Sequence, residues 1–225
     1  MTGRGVPKDE AQAASFFQQA ADKGNSLAMV QLGTLYEFGR GVSKDEAKGV
    51  EFFQQAVDKG NAEGMDKLGY LYAHGIGVAK NEAQAIRLFR QALDKDKGNV
   101  GALINLADMY LRGSGVAKDQ RQAFRFFLEA AERGDSSAMF GVASLYESGL
   151  GVARDHAQAA SWWVKSISAG NELALSKLLE QQAIYPISFR KAVQSAVSER
   201  GFYFGPIDGK FTPDTVAALK KLVGK

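Results

Sequence analysis

The chain has 225 residues, with 28 Lys/Arg against 25 Asp/Glu, no cysteine and a formal net charge of +3. The lack of cysteine excludes disulfides, thiol catalysis and Cys-type zinc sites, and no apolar run is long enough for a membrane span. Residues 186–225 hold seven Lys/Arg and three Asp/Glu while the rest is near neutral, and neither part has the dense basic clusters that nucleic-acid binding needs.

In chain order, the first feature is a turn, Gly3-Arg4-Gly5-Val6. It returns as Gly39-Arg40-Gly41-Val42, Gly75-Ile76-Gly77-Val78, Gly113-Ser114-Gly115-Val116 and Gly149-Leu150-Gly151-Val152, in steps of 36, 36, 38 and 36 residues. A fixed period of this size marks a solenoid, whose units bury their apolar sides against their neighbours. Met1-Thr2 leads straight into the first turn without the helix that should precede it, so the sequence is expected to be a piece of a longer protein.

Each period predicts two helices. The one after each turn starts at Asp9, Asp45, Asn81, Asp119 or Asp155. Gln12, Gln84, Gln122 and Gln158 (Lys48 in the second copy) follow three residues later, which is a capping-box pattern. A paired apolar step comes next: Phe16-Phe17, Phe52-Phe53, Leu88-Phe89, Phe126-Phe127, Trp162-Trp163. Gly24, Gly60, Gly98, Gly134 and Gly170 are expected to end these helices in the left-handed region. Asn25, Asn61, Asn99, Asp135 and Asn171 then cap the next helix. That helix carries Leu32-Gly33 with Tyr36, Leu68-Gly69 with Tyr72, Leu106-Ala107 with Tyr110 and Val142-Ala143 with Tyr146. Small residues at the second position let a neighbouring helix approach. The two extra residues of the third unit fall within Asp94–Lys97, in the loop or last turn before Gly98. In the fifth copy Gln181 and Gln182 replace the Leu and Tyr, a polar face that suits an end unit.

After Gln182 the pattern stops. Pro186 biases Tyr185 away from the helical region, which makes 183–187 a linker. A short helix through Val193 leads into the Gly201–Phe211 loop. Thr212, with Pro213 at the first helical position, starts a last helix.

The recurring Ala-x-x-Leu-Gly-x-x-Tyr, Gly-x-Gly-Val, Asp, paired aromatic and Gly pattern resembles the Sel1-like repeats, relatives of the tetratricopeptide repeat, over residues 3–180. The resemblance implies an all-α fold: a right-handed α-solenoid of about five antiparallel helix pairs, residues 1–182, serving as a scaffold for protein complexes. The tail, 188–225, resembles the peptidoglycan-binding-domain family, a small helical module, through Gly201, Phe202-Tyr203, Gly205-Pro206-Ile207-Asp208-Gly209, Phe211, Pro213, Thr215 and Ala218-Leu219. It departs from that family at Thr212 and Leu222-Val223.

No catalytic constellation stands out, and no cofactor or metal is expected. His74 and His156 lack ligand spacing, and a solvated helix start accounts for His156. The Gly-x-Gly turns lack the third Gly of a dinucleotide motif and the Gly-Lys-Ser/Thr of a P-loop. At helical spacing the aromatic pairs read as core.

What remains is surface. Likeness to the tetratricopeptide relatives puts the Leu-Gly helices on a concave side. Its free positions are Val30, Thr34 and Glu37; Asp66, Tyr70 and His74; Asn105, Asp108 and Arg112; Phe140, Ser144 and Glu147. These form either a solvated face or a groove for a partner's peptide or helix, with Val30, Tyr70 and Phe140 as anchors. In the tail, Tyr203, Phe204 and Asp208 are the candidates for peptidoglycan contact, whereas Phe211 reads as core and Asp208-Gly209 as a turn. The combined architecture is similar to the periplasmic regions of bacterial polar localisation factors. It implies a non-enzymatic scaffold of the cell envelope, in the periplasm. The alternatives are a peptidoglycan-binding module with the repeats as spacer, or a regulatory arm of a larger enzyme.

Overall fold

A computed structural model describes residues 9–223. Among them are twelve α-helices and no strand. The first repeat helices are α1 (Glu10–Asp22), α3 (Glu46–Asp58), α5 (Glu82–Lys95), α7 (Gln120–Glu132) and α9 (His156–Ser168). The second ones are α2 (Ser26–Phe38), α4 (Ala62–His74), α6 (Val100–Arg112), α8 (Ser136–Ser148) and the shorter α10 (Glu172–Glu180). The tail adds α11 (Ile187–Glu199) and α12 (Pro213–Lys221). The fold is an all-α repeat solenoid. The chain divides into two compact units, Met1–Met109 with Ser114–Ala117, and Tyr110–Gly113 with Lys118–Lys225.

The expected caps form. Asp9, Asp45, Asn81, Asp119 and Asp155 each accept through Oδ1 from the backbone N–H three residues on. Only half of the capping box is built, however. The cap's own N–H already donates to the preceding tyrosine: Asp45 to Tyr36 O at 2.9 Å, Asn81 to Tyr72 O at 2.8 Å, Asp119 to Tyr110 O at 3.0 Å and Asp155 to Tyr146 O at 3.1 Å. No donor is left there for the Gln side chain to reach. The second-helix caps do more than expected. Asn61 Nδ2 donates to Ser26 Oγ at 3.1 Å, and Asn171 Nδ2 to Ser136 O at 3.0 Å. The same residue thus caps its own helix and ties it to the start of the corresponding helix one repeat earlier.

The two glycines of each turn have different work. The first is the left-handed C-cap of the second helix. The second also has positive φ, and its Cα lies against the first helix one repeat earlier: a Cβ on Gly41 would come within 2.1 Å of Glu10 O, and one on Gly151 within 2.0 Å of Gln120 O. The Gly3–Val6 copy lies outside the described residues. Gly24, Gly60, Gly134 and Gly170 have the expected positive φ. Gly98 does not: Asp96 is the C-cap of α5, and the Gly98 N–H donates to Asp96 Oδ1. The extra residues of the third unit are absorbed there.

The expectation that every paired step is core holds in full only in the second and third copies, where Phe52, Phe53, Leu88 and Phe89 are buried. In the fourth and fifth only the second member, Phe127 or Trp163, is buried while Phe126 and Trp162 are half-buried, and in the first Phe16 is exposed, because the first member sits at the edge of the helix's apolar stripe. A Cβ on Gly33 would meet the Phe53 ring at 2.7 Å, and one on Gly69 the Phe89 ring at 2.7 Å. Gly33 and Gly69 are therefore seats for the aromatic rings of the helices that follow.

The end of the repeats differs from expectation. Segment 183–187 is no free tether. Tyr185 is buried, with its ring 5.5 Å from Trp163 and 4.9 Å from Phe189. The α11 helix packs on α9, and the tail shares one apolar core with the fifth repeat through Trp163, Phe189, Val193 and Leu219. The polar Gln181-Gln182 face is accordingly not what terminates the stack. Nor is His156 simply solvated: its Nδ1 lies 2.8 Å from Ser188 Oγ, and its ring stands edge-on to Phe189.

Candidate protein-interaction face

Val30, Asp66, Ile104 and Phe140 occupy one register position, two residues before Leu32, Leu68, Leu106 and Val142. In the first unit Thr34, Glu37, Phe38, Asp66, Lys67 and Tyr70 line a pocket of about 370 Å³ between α2 and α4. Four of these, Thr34, Glu37, Asp66 and Tyr70, are positions that the sequence assigned to a groove. Val30 is not part of it. At 0% exposure it is core, so it cannot anchor a partner. Only its carbonyl serves the face, accepting from Thr34 Oγ1 at 3.0 Å.

Tyr70 is exposed, with its ring 4.1 Å from the His74 ring, whose Nδ1 is 2.9 Å from Tyr70 O. Asp66 retains only 9% exposure and accepts from Asn105 Nδ2 at 3.0 Å. Burial pushes its carboxyl pKa up, opposed by the Asn105 bond and by Lys67. Burial likewise raises the Glu37 pKa, again opposed by Lys67. Asn105 therefore stands beside the expected row, not in it: Ile104 holds the row position, and Asn105 reaches back to Asp66. Asp108 is half-buried.

In the second unit Arg112 is exposed at the end of α6. Phe140 is half-buried, edge-on to Trp163 at 5.0 Å, and Lys177 Nζ sits 5.2 Å from its ring centroid. Ser144 Oγ donates to Phe140 O at 2.9 Å, and Ser148 Oγ donates to Ser144 O. Glu147 is half-buried and close enough to Tyr185 for its charge to help raise that phenol's pKa, after the larger effect of burial.

In the tail, Tyr203 is 3% exposed and cannot contact a wall polymer. Its hydroxyl donates to Pro206 O at 3.0 Å. Phe204, at 88% exposure, is the free aromatic of the loop. Asp208 is tied down. It accepts from the Lys210 N–H at 2.8 Å and from Gln194 Nε2 at 3.4 Å, and the Lys210 bond chiefly holds its pKa down. Buried Gln194 also donates to Lys210 O at 2.9 Å and accepts from the Gly209 N–H at 2.7 Å. Nothing in the sequence pattern marks this residue as the organiser of the loop.

Among the described residues no group of three His, Cys, Asp or Glu is placed to hold a metal ion, and no helix is long and apolar enough to cross a membrane.

The Sel1 repeat family model matches residues 1–25, 26–61, 62–97, 100–135 and 136–171. No curated protein matches the chain. Among solved structures, a Sel1 repeat protein from Oxalobacter formigenes is 32% identical with a TM-score of 0.72, over 81% of this chain and 73% of that one. A protective antigen of uropathogenic Escherichia coli with an SLR fold is 27% identical with a TM-score of 0.70; the match takes in 99% of this chain and 50% of the antigen, so this chain corresponds to half of it. An immunity protein of Pseudomonas aeruginosa, 21% identical with a TM-score of 0.56 over 93% of this chain and 79% of its own, shares the fold.

Proposed function

This chain belongs to the Sel1 repeat family, and on that premise we propose that it is a non-enzymatic scaffold that holds a partner protein on the exposed face of its second repeat helices. Sel1 repeats are typically protein–protein interaction scaffolds. The observation that carries the reading is the pocket between α2 and α4, where side chains from two successive repeats converge around an exposed tyrosine. Tyr is among the side chains enriched at binding hot spots.

The test is site-specific photo-cross-linking. A photoreactive residue at Thr34, Tyr70 or Ser144 should capture a discrete partner band, and one at the exposed first-helix positions Gln54 or Arg87 should not. Equal capture at both sets would overturn the assignment.

The tail's likeness to peptidoglycan-binding modules supports a periplasmic place in the bacterial cell envelope, and the combined architecture supports recruitment of partners at a cell pole. The exposed Phe204 is the side chain through which the tail contacts the wall. The chain should pellet with purified peptidoglycan, and Phe204→Ala should reduce that pelleting. An intact chain that stays in the supernatant would remove the wall contact while leaving the groove reading intact.

A further inference from the structure

Three departures from the repeat meet at one point in the first unit. The register position of Asp66 is Val30, Ile104, Phe140 and Ser176 in the sister repeats. The position of Asn105 is Gln31, Lys67 and Gly141, and that of Gly101 is Leu27, Glu63 and Ser137. In space these three residues belong together. Asn105 donates to Asp66 Oδ1, and a Cβ on Gly101 would stand 2.3 Å from Asp66 Oδ2. Thus Gly101 makes room for the carboxylate and Asn105 orients it.

The repeat itself does not need an acid here, since three of its four sister positions hold apolar side chains and the fourth holds the uncharged Ser176. Burying a carboxylate is costly unless a cation or several hydrogen bonds compensate it. Asp66 is nine-tenths buried, has this one hydrogen bond, and has no cation within ion-pair distance. Glu37, on the same pocket, also lacks an ion-pair partner, and Lys67 lines the pocket without closing on either carboxylate. On the following loop Lys44 is engaged with Glu46 at 2.7 Å, and Arg40 lies over the Phe38 ring, its guanidinium carbon 5.3 Å from the centroid. The exposed ring of Tyr70 forms a flat wall beside the two acids.

We infer that this pocket is a recognition subsite for an arginine side chain of the bound partner. A guanidinium would lie against the Tyr70 ring and donate to the Asp66 and Glu37 carboxylates. Charge complementarity chooses a cation. The planar donor fork and its affinity for aromatic faces choose arginine over lysine. The inference rests on the scaffold reading and adds the chemistry of what enters the groove.

The test uses the full chain and a small probe, N-acetyl-arginine-methylamide, followed by NMR at the Asn105 side-chain amide and the Tyr70 backbone amide. The arginine probe should shift both signals in a saturable way. The isosteric neutral citrulline probe and the lysine probe should bind at least about tenfold more weakly, the scale of one lost charge-assisted hydrogen bond. Asp66→Val, which installs the sister-repeat residue and should fold, should abolish the shift. A silent arginine titration, an equal response to citrulline or lysine, or a shift that survives in Asp66→Val would each overturn the assignment. The groove reading is judged separately by cross-linking at Ser144, which lies outside this pocket.

Discussion

Asp66 and Phe140 hold the same repeat position in the two units, and their surroundings are chemically opposite. Around Asp66 the face is acidic and recessed, with Asn105 and Gly101 altered to hold a carboxylate in place. Around Phe140 it is aromatic, backed by Trp163 and covered in part by Lys177. The difference teaches that the repeat backbone tolerates either chemistry at this position. The supporting side chains decide which is stable: small residues and an amide for the acid, a large ring for the phenylalanine.

The largest expected effect falls on the aromatic unit. Trp163→Ala removes the ring against which Phe140, Tyr185 and Phe189 pack, and also the Nε1 donor to Ala174 O at 2.9 Å. Loss of a buried Trp costs about 3–5 kcal/mol. Hydrogen exchange should show protection lost in α8–α11 first, and unchanged protection there would break the contrast. Next comes a device that both units share. Gly151→Ala and Gly77→Ala each put a Cβ into the backbone of the preceding repeat at positive φ. Each should cost about 2–3 kcal/mol by urea unfolding, the scale of a non-glycine residue forced into a rare backbone region. A strong effect in one unit and none in the other would show that the turns are not equivalent.

Asp66→Val should act in the opposite direction, stabilising by about 1–2 kcal/mol at neutral pH, because a buried charge with one hydrogen bond and no ion pair is only partly compensated and its replacement by an apolar side chain is favourable. The gain should depend on pH. The folded-state pKa of Asp66 lies above its ordinary 3.8, so folding favours the protonated acid. Its contribution is fully present below the unfolded value and is lost as pH rises through the raised folded value. The advantage of Asp66→Val should therefore grow as pH rises from about 4, and Phe140→Val should show no such dependence. A flat difference across that range would refute the account of Asp66. The smallest effect belongs to Asn61→Asp, which keeps the cap to Gly64 N but loses the donor to Ser26 Oγ. It should cost about 0.5–1.5 kcal/mol, the net worth of one hydrogen bond, measured by thermal unfolding.

Much of the fold was legible because its signals are local. Caps, turn glycines and aromatic pairs recur at fixed offsets, and the cap and C-cap hydrogen bonds close within a few residues. The candidate face was legible only in part. Thr34, Glu37, Asp66 and Tyr70 converge as the spacing implied. Val30 went inward, because a helical position at the edge of the apolar stripe can turn either way according to its neighbour, and Asn105 lies one position beyond the row, which Ile104 holds. Tyr203, expected to contact the wall, is buried, and no sequence signal marks Gln194, for one reason: a polar atom at the end of a side chain gives no sign of which buried partner it will meet.

The sequence alone determined where most of the repeat helices begin and end, the period of the repeat and the family it belongs to, since these follow from backbone preferences and short-range hydrogen bonds. Tertiary structure decided the rest. It decided that the second turn glycine lies against another repeat's backbone, that the cap asparagines bond across repeats, that the tail completes the core of the fifth repeat, and that one aspartate is buried among residues altered to receive it. These are contacts between residues some thirty to forty positions apart, and only the folded packing brings such residues within reach of one another.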